Sequence, residues 1–255
     1  MKRTLYVISE GRTEVNFVKQ VLTIHLLAFD WVVIPITLRT GSNKAGVRKG
    51  GWRRSRGYEH AIAEIHRVLK THRNVMYTTF FDLYGFPSDI PCYEEAKSLS
   101  SPQEKALRYE RQLKEDIADL FSDGSGFRDE MFIPYIQPYE FECFLFIDPK
   151  ISATVLSVGD AGKAENIEDS IAGVSHSFET PEHINNSQDT APSKRLAKFV
   201  PGFDKNKAGK SGLSWRVAEE IGIERIRKEC PHFSEWLLSL ERMPINEQIE
   251  SCPGG

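Results

Sequence analysis

The sequence predicts an α/β fold: a mostly parallel central sheet with helices on both faces, plus a small helical C-terminal region. Three observations carry this. Residues 5–8 are apolar at consecutive positions and rich in β-formers, the habit of a strand covered on both sides. Residues 12–27 repeat Val15, Val18, Leu22 and Leu26 at three- and four-residue spacing, with Phe17 and Val21 beside them, and so form an amphipathic helix. Strand-like and helix-like segments then alternate, which calls for parallel pairing through right-handed crossovers.

The remaining elements follow in order. Residues 31–38 make a second strand, and 58–71 return to helical period through Ile62, Ile65 and Leu69. Residues 75–81 make a third strand, with Asp82 at its end. Between the second strand and its helix, RTGSNKAGVRKGGWRRSRG (39–57) is glycine-rich, basic and polar throughout, hence a loop. A Pro-, Ser- and acid-rich excursion (83–102) precedes a helix at roughly 103–121. In MFIPYIQPYEFECFLFID (131–148) the first half is a fourth strand, while Pro138 is placed to open a helix that turns Phe141, Phe144 and Leu145 inward. Beyond Pro149 short helical stretches, ending in 221–227 and 233–240, are separated by HINNSQDTAPSK and PGFDKNKAGKSG. The chain therefore divides into an α/β domain over 1–150 and a mainly helical region over 151–255 packed on it.

Bulk properties narrow the function. At 255 residues, 40% hydrophobic and 27% charged, the chain is an ordinary globular one. A formal net charge of -3 gives no global attraction to nucleic acid or anionic membrane, so such binding needs a local concentration of charge. Cys92, Cys143, Cys230 and Cys252 are widely separated and suggest neither a disulfide framework nor a zinc site. The four-residue apolar run before Ser9 is too short for a signal peptide, and no stretch has membrane-span length, so a cytoplasmic location is expected. The histidines include His60, His66 and His72 in or near one helix, but six-residue spacing separates their directions.

The informative pattern is acidic. Ligands of open parallel sheets bind at the carboxyl ends of the strands. Glu10 follows the first strand, Asp82 ends the third, and Glu140 and Glu142 follow the fourth; Glu14 lies one turn beyond Glu10. Carboxylates converging at one edge repel unless a cation lies between them, and hard oxygen ligands suit magnesium, manganese or calcium. Singly, each has a plainer explanation. Glu14 complements a helix dipole that Thr13 helps cap, and Asp82 begins a turn. A strand over 138–146 puts Glu140 and Glu142 on one face, whereas a helix splits them by about 200°.

ISEGRTEVNFV, FFDLYGFP and QPYEFECFLF in this order, with the later PSKRL and GFDKNKAGK, resemble the TOPRIM-like bacterial family labelled domain of unknown function 4276. That family is distantly similar to the TOPRIM nucleases of the overcoming-lysogenization-defect group. The resemblance implies a TOPRIM-like α/β domain over 1–150, a metal-dependent nuclease acting on DNA or RNA in bacterial anti-phage defence, magnesium or manganese as cofactor, and a separate ATPase encoded alongside. Glu10 matches the first glutamate of the TOPRIM pattern and Asp82 the first aspartate of its DxD pair. Tyr84 stands where the second aspartate would be. Glu14 and Glu142 match the further acids of nuclease-type members, with Glu140 in reserve as a metal ligand.

A phosphodiester substrate also needs cations to bring it in. The loop supplies Arg39, Lys44, Arg48, Lys49, Arg53, Arg54 and Arg56 without an acid, glycines that allow close backbone approach, and Trp52 to stack on a base or ribose. Lys194 and Lys205 lie in a second polar group, where Ser193 is placed as a helix N-cap. The alternative function is a non-catalytic nucleic-acid-binding or regulatory subunit with a degenerate TOPRIM site, and a third is an α/β protein-interaction module. A homo-oligomer is compatible with each.

Overall fold

A computed structural model of the chain describes residues 2–38, 41–42, 48–49, 57–72, 75–121, 127–185, 188–203 and 210–243. It is a mixed α/β fold with a small parallel sheet flanked by helices. β1 (Arg3–Ser9) leads into α1 (Arg12–Phe17), a π-helical turn (Val18–Leu22) and α2 (Thr23–Leu27), which follow one another with helical backbone angles at the joints. The Thr23 hydroxyl donates to the Val18 carbonyl five residues back at 2.7 Å, in step with the widened turn. β2 (Trp31–Thr37) returns parallel to β1. Where a loop was expected throughout, β3 (Gly41–Ser42) and β4 (Arg48–Lys49) pair antiparallel. α3 (Gly57–Thr71) then crosses to β5 (Met76–Asp82), which lies parallel on the other side of β1.

After α4 (Tyr93–Ser98), α5 (Pro102–Asp119) starts at a capping box: Ser101 Oγ accepts the Glu104 amide and Glu104 Oε2 accepts the Ser101 amide. The fourth strand is broken. β6 (Phe132–Ile133) pairs with the start of β5 and β7 (Ile136–Gln137) with its end, because Pro134 has no amide to donate. Thr79 Oγ1 bridges the break, donating to the Tyr135 carbonyl and accepting its amide, both at 2.8 Å. The sheet order is β2-β1-β5-β6, with β7 continuing beside β5.

Alternate residues of β1 face two cores. Leu5 and Val7 point toward α1, the π-helical turn and the C-terminal helices, while Ile8 packs with Ala61, Ile65 and Leu69 of α3 and Leu113 and Ile117 of α5. α6 (Pro149–Leu156), α7 (Ala161–Ser175), α8 (Pro192–Phe199), α9 (Ser214–Ile221), α10 (Ile223–Glu229) and α11 (Pro231–Glu241) follow, and their apolar sides enter the first core. α11 is stitched to the sheet: Trp31 Nε1 donates to the Leu240 carbonyl at 3.0 Å and Trp236 Nε1 to Thr78 Oγ1 at 2.8 Å. Among the described residues no helix is long and apolar enough to cross a membrane.

A buried polar cluster fastens the same helix. Glu182 is buried and accepts the amides of His232 and Phe233 in the first turn of α11, at 2.9 and 3.0 Å. The His232 ring meets Glu110 Oε1 at 2.8 Å, and that oxygen also accepts the Ile136 amide. Burial disfavours the charged ring, yet the hydrogen bond and charge of Glu110, with Glu182 and Glu235, raise the His232 pKa overall. Burial raises the Glu182 carboxyl against the lowering by the two amides. Both groups therefore hold protons more tightly in the folded chain. The His232 contribution is complete below the unfolded histidine pKa of about 6.5 and is lost as pH rises through the higher folded value. Unfolding free energies from urea titrations are expected to fall from about pH 6 to about pH 8 and to lose that slope in His232→Gln. An equal slope in the variant would assign the titration elsewhere.

Candidate carboxylate site at the carboxyl edge of the sheet

The path of the chain selects one position on the sheet. From β1 it steps to β2 on one side, then passes back to β5 on the other, so the strand order reverses between β1 and β5. Loops diverge at such a switch point and leave a crevice beyond the strands' carboxyl ends. Ser9 is level with Phe80 there, so Glu10 and Asp82 flank the reversal. Glu10 is half-buried and Asp82 only 4% exposed. The Ser9 hydroxyl is buried with no hydrogen-bond partner among the described residues, an orphaned polar atom beside Glu10.

Glu14 lies in the first turn of α1, as the sequence predicts, but it is 4% exposed and so not a solvated helix start. Thr13 is not the cap. Gly11 occupies that position, with no capping side chain. A Cβ built on Gly11 would stand 2.8 Å from Glu14 Oε2, so the missing side chain leaves the carboxylate its place.

Asp82 is held from the fourth strand's end. The Phe141 amide donates to Asp82 Oδ1 at 2.9 Å. It can do so because the chain reverses after Pro138: Tyr139 takes a left-handed backbone with φ 60°, rare for a bulky residue, and its carbonyl accepts the Tyr84 amide at 2.7 Å. Tyr84, at the missing aspartate's position, thus serves this turn through its backbone. The two expectations for residues 138–146 are both corrected. Glu140 is still extended, and a 3₁₀-helix, Phe141–Phe146, begins after it and is buried on every residue. Glu140 and Glu142 consequently do different things. Both Glu140 oxygens take donors from Ser193, Oε2 from its amide at 2.8 Å and Oε1 from its hydroxyl at 3.0 Å. Glu142 is enclosed within the 3₁₀-helix at 0% exposure.

Ser193 is accordingly not an N-cap. Ala191 has that position and Pro192 opens α8, a signal legible in the sequence because proline favours the first helical position. Lys194 is exposed. Arg39, Lys44, Trp52, Arg53, Arg54, Arg56 and Lys205 lie outside the described residues, and Arg48 and Lys49 are described only as the backbone of β4. Cys92, Cys143 and Cys230 are free and buried, and burial raises the Cys143 and Cys230 thiols away from reactivity. His72 stacks on Tyr6 at 4.6 Å and His66 meets Phe121 edge-on at 4.7 Å, both away from the acids' strand ends.

Carboxylates are hard oxygen donors of the kind that magnesium and manganese take, but among the described residues no three His, Cys, Asp or Glu side chains are gathered so as to hold a metal ion. What sequence reasoning missed was the support: Gly11, Tyr139 and Ser193. Gly11→Ala is expected to swing the flexible Glu14 carboxylate aside at little cost in stability, within about 0.5 kcal/mol. A crystal structure of the variant checks this, and an unmoved Glu14 would show that Gly11 does not set its place.

Comparison with curated proteins gave no match, nor did comparison with solved structures. A family model described as "Domain of unknown function (DUF4276)" matches residues 9–241, from the last residue of β1 to the last of α11, and the chain belongs to that family.

Proposed function

We propose that the chain is a metal-dependent nuclease with a TOPRIM-like site, hydrolysing phosphodiesters of DNA or RNA with magnesium or manganese. The observation that carries this reading is the placement of Glu10 and Asp82 at the carboxyl ends of the neighbouring strands β1 and β5, on either side of the switch point of a parallel sheet, with Glu14 buried one turn on. Glu10, Glu14 and Asp82, with Glu142, are the groups that would hold the cation. When bound, such an ion supplies charge neutralisation at the phosphate and lowers the pKa of a water. The protein's own part is to orient. The Phe141 amide fixes one oxygen of Asp82, and Gly11 admits the Glu14 carboxylate.

The basic run from Arg39 to Arg56, with Lys194 and Lys205, would draw in the polyanionic backbone, since the net charge of -3 does not. The sequence resemblance supports a role in anti-phage defence in the cytoplasm. The sequence has no phosphate-binding loop of its own for ATP, so an ATPase encoded alongside would act in trans. The non-catalytic alternative keeps one specific support, Tyr84 at the position of the second DxD aspartate.

Plasmid and RNA cleavage with magnesium or manganese separates the two. Cleavage by the wild-type chain that falls at least about a hundredfold in Glu10→Ala is the expected result. Binding without cleavage, with the ATPase present, would leave the regulatory reading. Neutralising Arg53, Arg54 and Arg56 together is expected to lower the slope of log affinity against log salt by about 2 to 3, from about 0.7 to 0.9 per phosphate contact. An unchanged slope would remove the loop from the interface.

A further inference from the structure

The two edges of the sheet are treated differently. On one side β6 and β7 are two residues long each, broken at Pro134, and the outward amide of Ile136 is taken by the Glu110 carboxylate at 2.7 Å. Short, interrupted strands close an edge against further pairing. On the other side β2 runs for seven residues and, among the described residues, pairs only with β1. The Arg3 amide donates to the Asp30 carbonyl and the Leu38 amide to the Ser9 carbonyl, so the even-numbered residues of β2 turn their main chain to β1. Trp31, Val33, Pro35 and Thr37 therefore turn theirs outward, and Pro35 stands where only an edge strand tolerates a proline. The side chains beside this edge are apolar. Val32 and Ile34, on the α3 face of the sheet, are 40% and 36% exposed and belong to neither core, although a parallel sheet is ordinarily covered on both faces. On the other face α2 carries Ile24 and Leu27, exposed and one turn apart. Leu27 lies about 200° round the helix from His25. His25 meets Glu241 of α11 at 2.6 Å, so Leu27 looks away from α11 and toward the open edge.

We propose that β2 is the interface between two copies of this chain, joined as antiparallel edge strands into one continuous sheet. A two-fold axis at Val33 pairs that residue with Val33 of the second copy through main-chain bonds in both directions, and sets the Trp31 amide opposite the Pro35 carbonyl. Proline then acts as an acceptor, the one main-chain role it keeps. The same register sets Val32 directly opposite Ile34 of the second copy, as a close pair without main-chain bonds, so the exposed side chains cover each other. Ile24 and Leu27 of both copies flank the join on the opposite face. The occupant of this edge must accept a position with no donor and must offer apolar residues at alternate positions. β2 itself meets both demands, which selects a second copy over a foreign strand. Running antiparallel, the copies carry their acidic edges at opposite ends of the joined sheet, so the contact is independent of what either edge binds.

Sedimentation of the full chain is expected to give twice the chain mass of 29.0 kDa. Val32→Lys combined with Ile34→Lys places like charges opposite each other and is expected to weaken the dimer at least about thirtyfold, with the circular dichroism of the wild type. Register is read by cross-linking in a Cys252→Ala background. Val32→Cys co-expressed with Ile34→Cys is expected to give a disulfide-linked dimer on oxidation with diamide, because directly opposite residues of this kind stand within disulfide reach, while neither variant links alone. A wild-type chain that stays monomeric at about 0.1 mM overturns the interface. So does a dimer that survives the lysine pair, or one in which the mixed cysteines do not link. Linking of Val32→Cys with itself assigns a different register and overturns this one. If the lysine pair does not fold, the cysteine mixture decides alone.

Discussion

The hydrogen bond from the Phe141 amide to Asp82 joins the end of the central strand to the helix buried beneath it, and much else hangs from it. Asp82 is a carboxylate with almost no access to water, a state that costs several kcal/mol unless donors surround it. The amide is in place only because Tyr139 accepts a left-handed backbone, which costs a bulky residue about 1 to 2 kcal/mol. The Tyr84 amide and the burial of the following aromatic residues offset that cost. Phe141 then lies edge-on to Phe17 at 5.4 Å and to Phe144 at 5.2 Å, so the turn that serves the acid also seats the core.

That core explains why the residues after 150 are wound so closely on the sheet. A parallel sheet exposes both faces to its crossovers and is stable only when both are covered. α3 and α5 cover one face. On the other, α1 and α2 share the work with α9 and α11, and Phe233 and Trp236 of α11 stand within the same aromatic group as Phe17, Phe80 and Tyr135. Indole donors reach from α11 to the strand side and back, and the Glu182 carboxylate closes the open amides of its first turn. Among the described residues acids are thus buried both at helix starts, as Glu182 and Glu140 are, and at the sheet edge, as Asp82 and Glu14 are.

The buried acids differ in what surrounds them, and this matters more than their number. Glu182 and Glu140 each accept two donors at a helix start, which accounts for their burial without any ligand. Asp82, Glu10 and Glu14 stand instead where the strand order reverses, the position at which a parallel sheet opens to a ligand. Aspartate and glutamate counts in the sequence make no such distinction. Neighbours in space do.

Much of the fold was legible because its elements obey single periods. The consecutive apolar residues of β1, the three-four spacing through Val15, Val18, Leu22 and Leu26, and the helix through Ile62, Ile65 and Leu69 all appear where local pattern puts them. Glu10 and Asp82 were found the same way, as acids that end strands. The sequence by itself determined those strand ends and the order of the main elements, since both follow from the alternation of buried and exposed positions along the chain. Only the tertiary structure decided the rest. The break at Pro134 depends on a hydroxyl from β5, the 3₁₀-helix Phe141–Phe146 is buried on every residue and carries no period to read, and the partners of Glu140 and Glu182 lie 50 or more residues away. Contacts at that separation are set by packing, which no local pattern encodes.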